Sequence, residues 1–196
     1  MVKVAVDLTL PEGSVALEVN GEVVGCRCWN RPRLHAEIVY AELLSLLKTF
    51  NLSPQEIDEC TVTTGPGSFT GVRLSVTVGK AFKACGVKVR GVSTLSALLT
   101  GAPEGAVAVI PAMRGKVYAR VGNRELDISP QELAAQLEKS QRPLIYKGEL
   151  PPPLQTFPCV KDLTPLAVKA LLTAESLPLT PNYVRDHDAK PQAGGL

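Results

Sequence analysis

Apolar and polar positions alternate along "VKVAVDLT", "GSVALEV" and "EVVGCRCW" at the start of the chain. A period of two predicts strands. Asn20-Gly21, between the second and third runs, predicts a tight hairpin, because both residues accept a left-handed backbone. After Pro32 the period lengthens. Val39, Leu43, Leu46, Leu47 and Phe50 share one helical stripe, while Leu34, Ile38 and Ala41 form a second. A helix over 34–50 with two apolar faces packs on two sides, one of them open to a partner. Ser53 and Glu56 have capping-box spacing, and "ECTVTT" predicts the next strand. It runs through a glycine turn into a helix over 69–84. Val72, Val76, Gly79 and Phe82 form one row of that helix. Leu74, Val78, Ala81 and Cys85 form another, and Arg73, Thr77, Lys80 and Lys83 make its polar edge. "VKVRGVS" predicts a strand and 94–99 a short helix.

Glycine and proline in "GAPEGA" punctuate the chain, and the order then repeats. "AVAVIPA", "KVYARVG" and "RELDIS" predict three strands. Ser129-Pro130 opens a helix through "QELAAQLEKS", with proline in its first turn. "PLIYKG" is a strand, "PPPLQTFPCV" a rigid connector into a short strand, and "TPLAVKALLTAES" a helix. The duplicated order predicts an α/β protein of two lobes, each a mixed sheet flanked by helices. That is the plan of the actin-like, ribonuclease H-like class, which includes sugar kinases and heat-shock ATPases. The expected division is an N-terminal lobe over 1–101, a C-terminal lobe over 102–180 and an extended tail over 181–196.

Composition narrows the function classes. A net charge of +2 predicts no nucleic-acid affinity of its own, and 5% aromatics leave few stacking platforms. Two histidines, His35 and His187, have no metal-ligand spacing with a cysteine or carboxylate. Five cysteines are expected to be free, buried thiols. No apolar run reaches the ~20 residues that span a bilayer, and a soluble cytoplasmic protein is expected.

The turn "TTGPGSFTGVR" (63–73) carries the candidate chemistry. Glycines before a helix start let the backbone approach an anion, and Ser68 and Thr70 add hydroxyls. Alternatively, Ser68 caps the helix and the glycines only turn the chain. Three sharper motifs fail. A Walker A loop needs a glycine where Thr70 stands and a lysine after it. A nucleophile elbow needs glycines where Pro66 and Thr70 stand. A dinucleotide fingerprint needs a small residue at Thr70 and an acid where the next strand offers Arg90. Asp7, at the end of the first strand, can orient a metal-bound water or a phosphate in this fold class, or simply cap the turn after it. His35 reads as a surface or interface residue, not a base.

"RPRLHAEIVYAELLSLL", "TVTTGPGSFTGVRLSVTVGKAFKA" and "VRGVSTLSALL", in that order and spacing, closely resemble the TsaB (YeaZ) family. "RGKVYA" (114–119) and "PNYVR" (181–185) resemble its later landmarks. The likeness is strong over residues 2–119 and thin beyond. One departure is Pro111-Ala112-Met113, where relatives carry an acidic residue.

The resemblance implies a non-catalytic paralogue of the metal-holding subunit TsaD. It implies a scaffold in the bacterial complex that puts threonylcarbamoyl on the adenosine beside the anticodon of ANN-decoding tRNAs. The partners implied are TsaD, the ATPase TsaE and a second copy of the chain; tRNA would be met only through the complex. No metal or tightly held cofactor is expected, with ATP or ADP at the TsaD junction. The implied subunit interface is His35, Ile38, Val39, Glu42, Leu43, Leu46, Phe69, Val72, Arg73, Val76 and Lys80. The implied phosphate or nucleotide contacts are Asp7, Gly65, Pro66, Gly67, Ser68, Thr70 and Gly71. The rival is an independent small ATPase or nucleotide-binding transferase; a peptidase finds no nucleophile or zinc set.

Overall fold

A computed structural model describes residues 1–138, 140 and 142–184. Its first sheet starts with an antiparallel meander of β1 (Val2–Asp7), β2 (Gly13–Val19) and β3 (Glu22–Trp29). Asn20 and Gly21 take φ values of 52° and 89°, the left-handed pair that the hairpin requires. The strands β4 (Glu59–Thr63) and β5 (Lys88–Val92) then add in parallel on the other side of β1, giving the order β3-β2-β1-β4-β5. Parallel neighbours need crossovers. α1 (His35–Thr49) joins β3 to β4, and α2 (Phe69–Ala84) joins β4 to β5. Between those helices and the sheet lies one core, with Val4, Val6, Val15, Leu17, Leu46, Leu47 and Val62.

The second half repeats this plan. β6 (Val107–Pro111), β7 (Val117–Val121) and β8 (Arg124–Ile128) form a meander; β9 (Leu144–Tyr146) and β10 (Cys159–Lys161) add in parallel. The order β10-β9-β6-β7-β8 mirrors the first sheet strand for strand. α4 (Pro130–Leu137) starts at the predicted proline, with Ser129 and Glu132 in a capping box, and its Leu133 and Leu137 close a second core. The duplicated, actin-like two-lobe architecture is therefore the one the sequence predicts.

The closing helix of each half crosses to the other side. α3 (Thr94–Leu99) packs on β6, β7 and β9, while α5 (Leu166–Leu172) packs on β1, β2 and β4. Both lie between the sheets in a third core built on Ala5, Ala16 and Ala108, whose small side chains admit helices close to the strands. Chain order puts α5 in the C-terminal lobe, yet its packing ties it to the N-terminal sheet. The tail expected over 181–196 is described only as far as 184.

Arg90 completes the joint. Its Nε donates to Glu59 Oε1 at 3.1 Å. Nη1 donates to the carbonyls of Thr173 (2.9 Å) and Glu175 (2.6 Å), and Nη2 to those of Ala170 and Leu171 (both 3.2 Å). The last carbonyls of a helix have no partner within it. One guanidinium on β5 satisfies several of them at the end of α5, a task suited to its fixed fork of donors. Arg90, which stands where a dinucleotide fingerprint needs an acid, is thus a helix-end clamp.

Candidate functional site

The glycine turn is packed against the end of β1. A β-carbon on Gly71 would overlap the carbonyl oxygen of Leu8, and one on Gly67 that of Thr9. Gly65, at φ 107°, faces Val72 and the carbonyl of Asn182. The Gly65-Pro66 peptide is cis. Ser68 N donates to Thr9 O at 2.7 Å, and Thr94 N donates to Gly65 O at 2.8 Å. Ser68 Oγ accepts from Gly71 N at 3.4 Å, capping α2. Of the two readings open in the sequence, close packing of the chain on itself accounts for all three glycines. Gly65 and Pro66 are buried, Gly67 is half-buried, and Ser68, Phe69 and Thr70 are exposed.

Asp7 is sealed beneath this turn, 1% exposed. Its Oδ1 accepts from Thr9 Oγ1 and Thr63 Oγ1, both at 2.6 Å, and from Thr9 N at 3.2 Å. Thr9 Oγ1 lies 3.0 Å from Thr94 Oγ1, and Thr63 Oγ1 3.4 Å from Ser75 Oγ. A single carboxylate therefore knots β1 and β4 together, with α2 and α3 joined through the hydroxyls. Oδ2 is buried without a hydrogen-bond partner among the described residues. Burial pushes the Asp7 carboxyl above the usual carboxylate range, against the three hydrogen bonds and the charge of Lys147. Little of Asp7 reaches solvent, and through Oδ1 it serves as a structural knot between the strands.

Beside the knot lies a cleft of about 260 Å³, lined by Thr9, Ser68, Met113 and Lys147 among others. Pro111 and Ala112 also line it, so the stretch that lacks the usual acid presents an apolar wall. Among the described residues no three His, Cys, Asp or Glu side chains come together to hold a metal. These residues do not fit a metal–nucleotide site. The glycine faces that would admit phosphate are filled by Leu8 and Thr9, and the carboxylate of Asp7 is buried outside the cleft's lining.

The expected interface residues divide in two. Val39, Leu43, Leu46, Val72 and Val76 are buried in the chain's own core. His35 is also inside, at 4% exposure, against the expectation of a surface residue. Trp29 Nε1 donates to His35 Nδ1 at 2.8 Å, which leaves Nε2 to donate to Leu10 O at 3.0 Å. The ring is a polar pin at the start of α1. Ile38 and Glu42 are half-buried, and Phe69, Arg73 and Lys80 are exposed. The apolar stripes point inward because the sheet, with its larger area, claims them first.

What remains outside is the seam between the two helices. Tyr40, Leu44, Val78, Ala81, Phe82 and Cys85 line an apolar cleft of about 320 Å³ there. Tyr40 and Leu44 escaped the sequence reading, although their i, i+4 spacing with an aromatic was the available signal. At the head of α2, Phe69 stacks on Tyr183 with ring centroids 5.3 Å apart. Arg73 lies 4.0 Å above the Phe69 ring, and its Nε donates to the Tyr183 hydroxyl at 3.2 Å. The segment bearing Tyr183 also bonds Asn182 N to Thr64 O (2.7 Å) and Asn182 Nδ2 to Glu125 Oε2 (2.7 Å). It straps the second lobe to the start of α2, a long-range contact with no local signal.

Cysteine placement departs from expectation: only Cys60 is buried, while Cys26, Cys28, Cys85 and Cys159 are exposed. No helix among the described residues is long and apolar enough to cross a membrane.

Comparison with known proteins places the chain. The family model described as TsaD, tRNA N6-adenosine threonylcarbamoyltransferase, matches residues 30–151. An uncharacterized protein of Mycobacterium tuberculosis is 31% identical over 179 residues, covering 87% of this chain and 84% of that one. The tRNA threonylcarbamoyladenosine biosynthesis protein TsaB of Escherichia coli is 34% identical over 121 residues, covering 58% of this chain and 52% of its own length. A crystal structure of a Pseudomonas aeruginosa protein with similarity to peptidase YeaZ superposes with a TM-score of 0.74 at 24% identity, covering 94% of this chain and 99% of that one.

Proposed function

The chain belongs to the TsaD family of tRNA N6-adenosine threonylcarbamoyltransferases, with the TsaB (YeaZ) proteins, and from that premise we propose that it is their docking subunit, without chemistry of its own. Its place is in tRNA threonylcarbamoyladenosine biosynthesis, with TsaD as partner. The carrying observation is the apolar seam between α1 and α2. The inner faces of both helices are consumed by the core; Val78 and Phe82 touch that core from its edge yet stay half-exposed with Leu44, and Tyr40 is exposed. An apolar seam of this kind marks a site of association.

A paralogue of the same fold offers the same pair of helices, so two pairs can meet face to face. Such a contact would remove about 1,200–2,000 Å² from water, the size of a specific interface. In isolation the same face closes a homodimer, and TsaE joins the assembled complex. ATP or ADP is held at the junction with TsaD, since this chain's glycine faces are filled by its own backbone. tRNA is met through the complex.

The test is reconstitution. The purified chain, TsaD and TsaE from one organism are assayed for threonylcarbamoyl transfer to tRNA, separately and together, with light scattering to follow assembly. Transfer is expected only when this chain is present with TsaD, together with a one-to-one complex. Transfer by this chain alone, or full activity of TsaD without it, overturns the reading.

A further inference from the structure

Among the described residues β3 is an edge strand that pairs only with β2, and its register is regular where Ser14 faces Cys28, Val15 faces Arg27 and Ala16 faces Cys26. Alternate residues of a strand share a face. Arg27 points to the α1 side, where its Nη2 donates to Thr49 Oγ1 at 3.3 Å. Cys26 and Cys28 thus stand side by side on the opposite face, and both are exposed. The two thiols are close enough that Cys26 bears on the ionisation of Cys28.

We propose that Cys26 and Cys28 form a redox-active dithiol that exchanges with small disulfides and closes into an intrastrand disulfide on the edge of the first sheet. Alternate α-carbons of a strand lie about 6.4–6.8 Å apart, at the upper edge of the ~4.4–6.8 Å that a disulfide spans. A slight pucker of β3 brings them within range. Being at the edge, β3 has a single ladder to disturb. Glu12 opposes a thiolate at Cys28, and the positive charge of Lys147 offsets part of that.

Burial and the neighbouring Cys26 push Cys28 up to about 11, which suits Cys28 to the second attack and leaves the first to Cys26. Its thiolate bonds to one sulfur of the small disulfide and expels the other half as a thiolate, leaving a mixed disulfide on Cys26. Cys28 then loses its proton to solvent and attacks the Cys26 sulfur, expelling the second small thiol. The protein loses two electrons and two protons, and the small disulfide gains them. No third His, Cys, Asp or Glu side chain among the described residues joins the pair to make a metal site.

The experiment treats the full chain with glutathione disulfide and follows it by thiol titration and peptide mass mapping. The expected product has lost two of its five thiols, carries no glutathione, is lighter by two hydrogens, and has both changes on the peptide holding Cys26 and Cys28. Reductant restores it. Cys28→Ser is expected to stop at a stable glutathione adduct on Cys26. A Cys85→Ser, Cys159→Ser double variant, which leaves the pair untouched, is expected to close like the parent. The proposal is overturned if glutathione stays on Cys26 or Cys28 in the parent chain, or if the bond runs to Cys85 or Cys159. It is also overturned if those two cysteines react while the pair does not. Docking plays no part in any of these readouts, so the outcome is independent of the proposed function.

Discussion

A β-carbon on Gly71 would occupy the same space as the carbonyl oxygen of Leu8. The first turn of α2 is thereby pressed onto the chain just after β1, and the carbonyls of Leu8 and Thr9 set where the helix begins.

Gly71→Ala is therefore expected to displace either β1 or α2. Overpacking a rigid backbone contact costs about 1–3 kcal/mol or more, and here the neighbour is main chain that cannot rotate aside. Thermal or urea unfolding checks this. A melting temperature equal to the parent's would show that the two elements have room to part.

Asp7 gives a pH signature. Burial raises its carboxyl in the folded chain, so the folded state keeps its proton to higher pH than the unfolded state does. Between the ordinary aspartate value near ~3.9 and the folded value, the unfolded chain binds fewer protons, and stability falls as pH rises. Glu59 and Asp162 act in the opposite sense. Each is pushed up by burial but pulled lower overall by cationic partners, Lys88 and Arg90 for Glu59 and Lys169 for Asp162; their contribution is lost as pH falls. Asp7→Asn keeps a neutral group of the same shape. Urea titrations from about pH 4 to about pH 8 should show the parent losing stability relative to Asp7→Asn as pH rises. Parallel curves would place the Asp7 proton elsewhere. Asp7→Ala, which strands the Thr9 and Thr63 hydroxyls, should cost about 1–3 kcal/mol.

The helix faces separate association from folding. Val76 and Leu43 are 2% and 4% exposed, so Val76→Arg or Leu43→Arg buries an unpaired charge and should unfold the chain. Ala81→Arg and Leu44→Arg sit in the seam and should leave the fold intact while weakening the complex with TsaD by about a hundredfold, or ~2.7 kcal/mol. Circular dichroism and a binding titration read the two effects apart. Seam variants that bind like the parent would move the interface to another face.

Arg90 can be tested without touching that face. Lysine keeps the charge but cannot reach Thr173, Glu175, Ala170 and Leu171 together with one fork. Arg90→Lys should cost about 2–4 kcal/mol, the scale of charge-assisted hydrogen bonds lost around a clamp. Hydrogen exchange should rise first in 166–175. Unchanged protection there would mean that core packing alone holds α5.

Period and punctuation read the elements well because they are local. The helices predicted over 34–50 and 69–84 occupy His35–Thr49 and Phe69–Ala84, and Ser129-Pro130 starts α4 as expected. Which face of a helix turns inward is not local. The stripe of Val39, Leu43 and Leu46 looked as fit for a partner as for a sheet, and only the presence of β2 at its back decided the matter. His35 lies beneath the surface because Trp29 and the Leu10 carbonyl complete its hydrogen bonds, and neither is near enough in sequence to signal it.

The amino-acid order by itself determined the duplicated strand and helix plan and the kinship carried by "GPGSFTGVR", since periodicity, turn chemistry and a rare motif need no partner to be read. Tertiary structure alone decided that the glycines serve backbone packing, that Asp7 is a sealed knot, that Arg90 clamps a distant helix, and that the open apolar surface is the seam at Tyr40 and Phe82. Each of these depends on what a residue far along the chain brings within hydrogen-bonding or van der Waals reach, and that distance is fixed only when the sheets and helices close on one another.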